Sequence, residues 1–314
     1  MYKKHNILKV QLITRFCTCS LGLFLVFPLL STMYPSSPAL AEFPRAASVS
    51  SSDRQKILES LKTANIIYLG ETHDNTLDHQ AQFEILQILH QHNPQIAIAM
   101  EMFQRPYQSV IDQYLAGEIS ETQLVRDTEY LQRWGFPWKY YAPIVRFARE
   151  NQLPVLAINT PTEVTRQVAA GGLASLQTEH KRYIPPIEEI KTDNENYRQM
   201  LYNVYRQHQH QGSEGGFDRF VEAQVLWDET MADAIANFVQ ANPDFTVVVI
   251  VGKGHVVYNY GIPSRVERRL ADANIVQRSV LFQSPHQDSL PTNIADFIWK
   301  HDTPQTKTTQ RYYS

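Results

Sequence analysis

The chain has 314 residues, a formal charge of -3 and 43% apolar residues. That is an ordinary soluble composition, long enough for one large domain or two small ones. The near-neutral balance lacks the basic surplus that nucleic-acid binding requires.

The first 41 residues have the layout of a secretory signal peptide. Lys3, Lys4, Lys9 and Arg15 make a basic start, "CTCSLGLFLVFPLL" comes next, and Ala39-Leu40-Ala41 fits a small-x-small cleavage site. The apolar run falls short of the roughly 20 residues of a membrane span and contains Pro28. Cleavage after Ala41 is expected, and with it an exported, periplasmic or otherwise extracytoplasmic protein. Cys17 and Cys19 both lie in this segment, so the mature chain would have no disulfide, no thiolate nucleophile and no soft-metal ligand. Cys17 comes after Thr14-Arg15-Phe16, which is not a lipobox, so no lipid anchor to a membrane is expected.

Residues 42–52 read as a flexible lead-in, and 53–285 as one α/β domain. Ser52 with Gln55 resembles a capping box opening a short helix through Leu61. Five short Ile- and Val-rich runs come after it: "NIIYLG" (65–70), "QIAIAM" (95–100), "PVLAIN" (154–159), "TVVVIVG" (246–252) and "SVLFQ" (279–283). They are continuous rather than alternating, as in strands buried on both faces. Between them lie helical patterns. In "LDHQAQFEILQILHQH", Ala81, Ile85, Ile88 and Leu89 share a face, "YAPIVRFARENQ" is short, and "TPTEVTRQVAAGG" ends at Gly171. The long stretch 217–243 has Phe220, Ala223, Trp227, Met231, Ala234 and Phe238 at helical spacing. This alternation predicts a mostly parallel central sheet flanked by helices. Residues 104–142 and 180–216 break it and are expected to form helical excursions, a cap or inserted subdomain. Residues 286–314 read as a polar tail.

Ligands of open parallel sheets bind beyond the carboxyl ends of the strands. The residues just past each run are therefore informative. The first run ends in Gly70-Glu71-Thr72-His73-Asp74, and the second in Glu101-Met102-Phe103 with Arg105. The third ends in Asn159-Thr160-Pro161, and the fourth in Gly252-Lys253-Gly254-His255, with Tyr258 and Tyr260 soon after. Gly-x-x-His occurs twice, each time at a strand end. Gly70 and Gly252 let the backbone turn sharply there. Two imidazoles with Glu71 and Glu101 can bind a metal, run acid–base chemistry or orient a ligand's carboxylates. His79, His90, His92, His208 and His210 are expected on polar faces or in a polar patch. In "LQRWGFPWKYYAPIV", Trp134, Phe136, Trp138, Tyr140 and Tyr141 form either a packed loop or, with Phe103 and Tyr107, the wall of a pocket for a large flat ligand.

At "LGETHD", "AMEMF", "WKYYAPIVRFAR", "INTP" and "VGKGHVVYNYGIPSRV" the sequence resembles the ChaN family of haem-binding uptake proteins, within the wider Tiki/TraB and erythromycin-esterase superfamily. The resemblance implies a parallel α/β core with a helical subdomain, haem as cofactor, and a homodimer. It also implies a tyrosine on iron, with Tyr258 the first choice and Tyr260 and Tyr141 the alternatives. Lys253 and His255 suit the propionates, with His73, Trp138, Tyr141 and Phe103 completing the haem-binding set. The superfamily's hydrolases supply a second expectation. In it His73, Glu101 and His255 hold a divalent metal with Glu71 as general base, or His73 is a metal-free base.

Overall fold

The computed structural model describes residues 51–208, 216–285 and 290–302. The leader, both cysteines, His210 and most of the tail lie outside the described residues. Six strands form one all-parallel sheet: β1 (Ile66–Glu71), β2 (Ile96–Gln104), β3 (Val155–Asn159), β4 (Thr246–Gly252), β5 (Gln277–Gln283) and β6 (Phe297–Lys300), in the order β3-β2-β4-β1-β5-β6. Every residue of β1 and β2 is buried. That is why these strands read as unbroken apolar runs: both faces are covered and neither needs polar residues.

The helices are α1 (Ser51–Leu61), α2 (Thr76–His92), α3 (Gln108–Leu115), α4 (Glu121–Asp127), α5 (Tyr130–Arg133), α6 (Ala142–Glu150), α7 (Thr162–Gly171), α8 (Thr178–Lys181), α9 (Glu195–His208), α10 (Gly216–Ala241) and α11 (Ile262–Arg269). Local chemistry sets several boundaries. Asn75 caps α2 by accepting the Leu77 amide at 3.0 Å, and Ser120 with Gln123 forms a reciprocal capping box on α4. No helix among the described residues is long and apolar enough to cross a membrane.

Two cores sandwich the sheet. One face carries Ile67, Leu69, Ile98, Met100, Val248 and Ile250 against α1, α2 and α3–α6. The other carries Ile66, Tyr68, Val247, Val249 and Val251 against α10 and α11. A smaller third core joins α7, α9 and the first half of α10. The two excursions therefore differ. Residues 104–142 place Ile111, Tyr114, Leu124 and Tyr130 in the main core. Within 180–216, Tyr197 and Leu201 of α9 build the third core.

Two expectations need correction here. Residues 297–300, read as polar tail, form β6, where Trp299 is buried and pairs with Phe282. A four-residue strand with one fully buried residue is too short to announce itself by pattern. His79 does not lie on a polar face, since it is buried at the start of α2.

Strands β1 and β4 are neighbours, in register from Ile66–Val247 to Glu71–Gly252. From β1 the chain crosses to β2 on one side, and from β4 it crosses to β5 on the other. The two Gly-x-x-His segments therefore leave adjacent strands where the winding reverses, the usual position of a crevice in such sheets.

Candidate functional site

At this edge each motif makes room for the other. A Cβ on Gly252 would lie 2.8 Å from both Cε1 and Nε2 of His73, so the second motif's glycine admits the first motif's imidazole. A Cβ on Gly70 would lie 3.2 Å from the Cα of Lys253 and 2.6 Å from Leu281 Cδ2. Gly261 is tighter still, because its Cβ would overlap the His255 carbonyl oxygen.

Two arrays, each of a phenol, a carboxylate and an imidazole, converge on Glu101. In the first, the Tyr141 hydroxyl donates to Glu71 Oε1 at 2.5 Å, and His73 Nδ1 lies 2.8 Å from that oxygen. In the second, the Tyr197 hydroxyl donates to Asp228 Oδ2 at 2.5 Å, and His255 Nδ1 lies 2.6 Å from Asp228 Oδ1. Glu101 sits between them, accepting the Gly252 amide at 2.6 Å and lying 3.5 Å from His255 Nε2. Its charge also acts on His73. Sequence-distant imidazoles thus share one cluster, each backed by a carboxylate and a buried phenol.

Glu71 is saturated. Besides Tyr141 and His73 it accepts Gln82 Nε2 at 2.7 Å, and His79 Nδ1 lies 3.4 Å away. His79 Nε2 also donates to the His73 carbonyl at 3.0 Å. Burial alone would raise the Glu71 carboxyl pKa, but the bonds and charges of His73 and His79 outweigh it and hold the group well below the usual carboxylate range. Glu101 is lowered in the same way, with burial overcome by His255, His73 and the Gly252 amide. Burial would depress the imidazoles. Instead Glu71 and Glu101 raise His73, and Glu101 and Asp228 push His255 up to about 10.

The aromatic segment packs onto this cluster. Trp134 and Phe136 each lie 4.9 Å from the His73 ring, and Tyr140 stacks on His79 at 4.7 Å. Of the two arrangements open to it, the packed loop is the one seen. Phe103 and Tyr141 are buried, and the half-buried Trp138 packs on Tyr130 and donates to Glu121 at 2.7 Å. These three are not an open wall, because their apolar surface is already used in the main core. Lys253 and His255, the residues expected at the propionates, are both buried. Lys253 is 7% exposed and donates to Thr72 Oγ1 at 3.0 Å; burial lowers its pKa against the raising influence of Asp78 and Asp74.

At the rim, Tyr258 and Tyr260 are half-buried and stack at 5.5 Å with 29° between their planes. Tyr258 and Asn259 both adopt left-handed backbone, with φ of 57° and 58°. Non-glycine residues held this way cost about 1–3 kcal/mol each and cluster at functional turns. The Tyr258 amide donates to the Ile294 carbonyl at 2.7 Å.

A model of the family described as "Haem-binding uptake, Tiki superfamily, ChaN" matches residues 57–266. The chain belongs to the ChaN family. The Campylobacter jejuni ChaN structure, described as showing cofacial haem binding, has a TM-score of 0.62 at 18% identity, covering 78% of this chain and 90% of that one. That likeness shows the fold. The Arabidopsis thaliana protein RETICULATA-RELATED 5, chloroplastic, is 26% identical over 265 residues, 79% of this chain. The chain spans about a third of that relative, 35% of its length. An erythromycin esterase in its open conformation scores 0.46 at 12% identity, covering 79% of this chain and 78% of that one.

Within this ChaN-family edge, Gln82, His79, Gln224, Asp228 and Tyr197 do not stand out in the sequence. Asp228 carries the one legible signal, an acidic pair with Glu229 inside an apolar helix. Gln224 stands one turn before it and lies 3.3 Å from His255 Nδ1. Among the described residues, no three His, Cys, Asp or Glu side chains are arranged to hold a metal ion. Each imidazole Nδ1 is engaged by its own carboxylate, and Glu71 accepts from Tyr141, His73 and Gln82.

Proposed function

We propose that this protein is an exported haem-binding protein of haem or iron uptake, and that haem docks at the carboxyl edge of the sheet with Tyr258 on iron. Family membership supports haem as the ligand. The observation that carries the finer reading is the tyrosine turn, where two stacked, half-buried phenols are held at the rim by a left-handed backbone. Buried tyrosines serve poorly as iron ligands, since Tyr141 and Tyr197 donate to carboxylates and burial pushes both phenols well above their usual range. Tyr258 is the better axial group, with Tyr260 beside it against the porphyrin. Tyrosinate is an established class of haem ligand, and haem would bring the redox chemistry.

The cluster behind the rim acts as a charged, hydrogen-bonded support. A hydrolytic base works best with a pKa near the working pH. Glu71 lies far below that, and His255, at about 10, stays protonated. A cleft of about 430 Å³ beside α11 and β5 is lined by Glu267 and Asp296 as well as Arg278, so its carboxylates outnumber its guanidinium and make it a poorer site for anionic haem propionates.

Haemin titration of the chain beginning after Ala41 tests the reading. A saturable Soret shift is expected, and Tyr258→Phe should weaken binding and change the iron spectrum. No saturable shift removes haem, and an unchanged spectrum in the variant removes Tyr258. Sedimentation of the loaded protein reads the homodimer that the family resemblance implies.

A further inference from the structure

The tyrosine turn is held from below chiefly by one buried side chain. Arg265, on the first turn of α11, is 3% exposed. Its Nη1 donates to the carbonyls of Tyr260, at 2.5 Å, and Gly261, at 2.9 Å. Its Nη2 reaches the Lys191 carbonyl at 3.5 Å, and its Nε lies 3.3 Å from Glu229 Oε1. The guanidinium plane sits 5.1 Å from the Tyr197 ring centroid. Glu229 is fully buried and is also engaged by Arg268 and Arg269, at 2.7 and 2.6 Å, so the node is anchored independently of the turn.

Tyr197 joins this node to the buried cluster. Its face meets Arg265, its ring lies 6.4 Å from Tyr260, and its hydroxyl donates to Asp228, the partner of His255. Ser264 reinforces the grip, its hydroxyl lying 3.1 and 3.2 Å from the same two carbonyls. A planar fork of fixed donors suits this task, since it can hold two carbonyls and a carboxylate at once.

We propose that Arg265 is a positioning residue for the rim tyrosines, clamping the 258–261 turn onto the helical layer of α9 and α10 so that the ligand-binding phenol is set before haem arrives. This rests on the haem reading for its consequence, but the clamp itself can be read without haem. Preorganisation of this kind improves affinity by reducing what must be ordered on binding.

The test compares Arg265→Met, Arg265→Lys and Ser264→Ala with the parent and with Tyr258→Phe. Each protein is followed by haemin titration with the iron spectrum, by amide hydrogen exchange at residues 258–261 without haem, and by thermal unfolding. Arg265→Met should weaken haemin binding by about tenfold, the scale of one lost charge-assisted hydrogen bond. It should move the iron spectrum toward that of Tyr258→Phe and speed exchange at the turn more than elsewhere. Arg265→Lys should recover part of each effect. If Arg265→Met does not fold, Ser264→Ala, which removes one hydroxyl from the same carbonyls, should show the same changes at smaller size. The proposal is overturned if exchange at 258–261 stays at the parent rate, or rises only in step with global unfolding. If the parent takes up no haemin, the functional reading fails while the exchange data still decide the clamp.

Discussion

Gly252→Ala tests whether the two motifs are physically interlocked. Gly252 has φ -61° and ψ 136°, which alanine adopts freely, so the only objection is space. The added methyl would stand 2.8 Å from two atoms of His73 and 3.5 Å from Glu101 Oε2. The imidazole has nowhere to yield. Glu71 holds its Nδ1 at 2.8 Å, while Trp134 and Phe136 press on it with centroids at 4.9 Å. Overpacking of this kind costs about 1–3 kcal/mol. Losing the His73–Glu71 bond instead would cost about 1.5–3 kcal/mol. The unfolded chain returns about 0.4–1 kcal/mol, because alanine has less backbone freedom to lose. A net loss of up to about 2.5 kcal/mol is expected, lowering Tm by about 2–4 °C per kcal/mol in a domain of this size. Urea unfolding of the parent, the single variant and the His73→Ala pair reads it. With the imidazole gone the clash has no partner, so the alanine should become neutral or slightly stabilising. Equal penalties in both backgrounds would refute the interlock.

Three further outcomes are expected from the same geometry. His255 is raised from its ordinary 6.5 to about 10 by Glu101 and Asp228 against burial, so its stabilisation is complete below pH 6.5 and is lost as pH rises toward about 10. Glu71 and Glu101 are lowered from 4.5, so their stabilisation is present above that pH and is lost as pH falls below it. Urea unfolding from pH 4 to 10 should therefore fall off at both ends, and His255→Gln should flatten the alkaline side; an unchanged alkaline slope would count against the pairing. Tyr141→Phe removes a charge-assisted bond to Glu71 and should cost about 1.5–3 kcal/mol in the same assay. Trp138→Phe should leave haemin affinity within about twofold, because the indole is committed to Glu121, and a tenfold loss would restore it as a pocket wall.

Five of the six strands were legible because the sheet buries both faces, and that constraint writes itself as unbroken Ile and Val runs. The sixth was hidden because Phe297–Lys300 is short and borrows its order from β5. The face proposed for α10 was partly right. Ala223 and Met231 are buried, but so are Val221, Val225, Leu226, Asp228 and Ile235, because the helix touches two cores and no narrow stripe can serve both.

The site divides the same way. Gly-x-x-His at two strand ends pointed to His73, His255, Glu71 and Glu101, since a parallel sheet brings all its carboxyl ends to one edge. The sequence alone could not show that the glycine of one motif admits the imidazole of the other, which requires β1 beside β4 in register. Nor could it show that Asp228 and Tyr197 complete the second array, or that Tyr141 and Lys253 are buried rather than presented. Strand ends are set by local pattern and chain direction. Partnerships across the crevice depend on strand order, helix rotation and packing, and those exist only once the whole chain has closed around its cores.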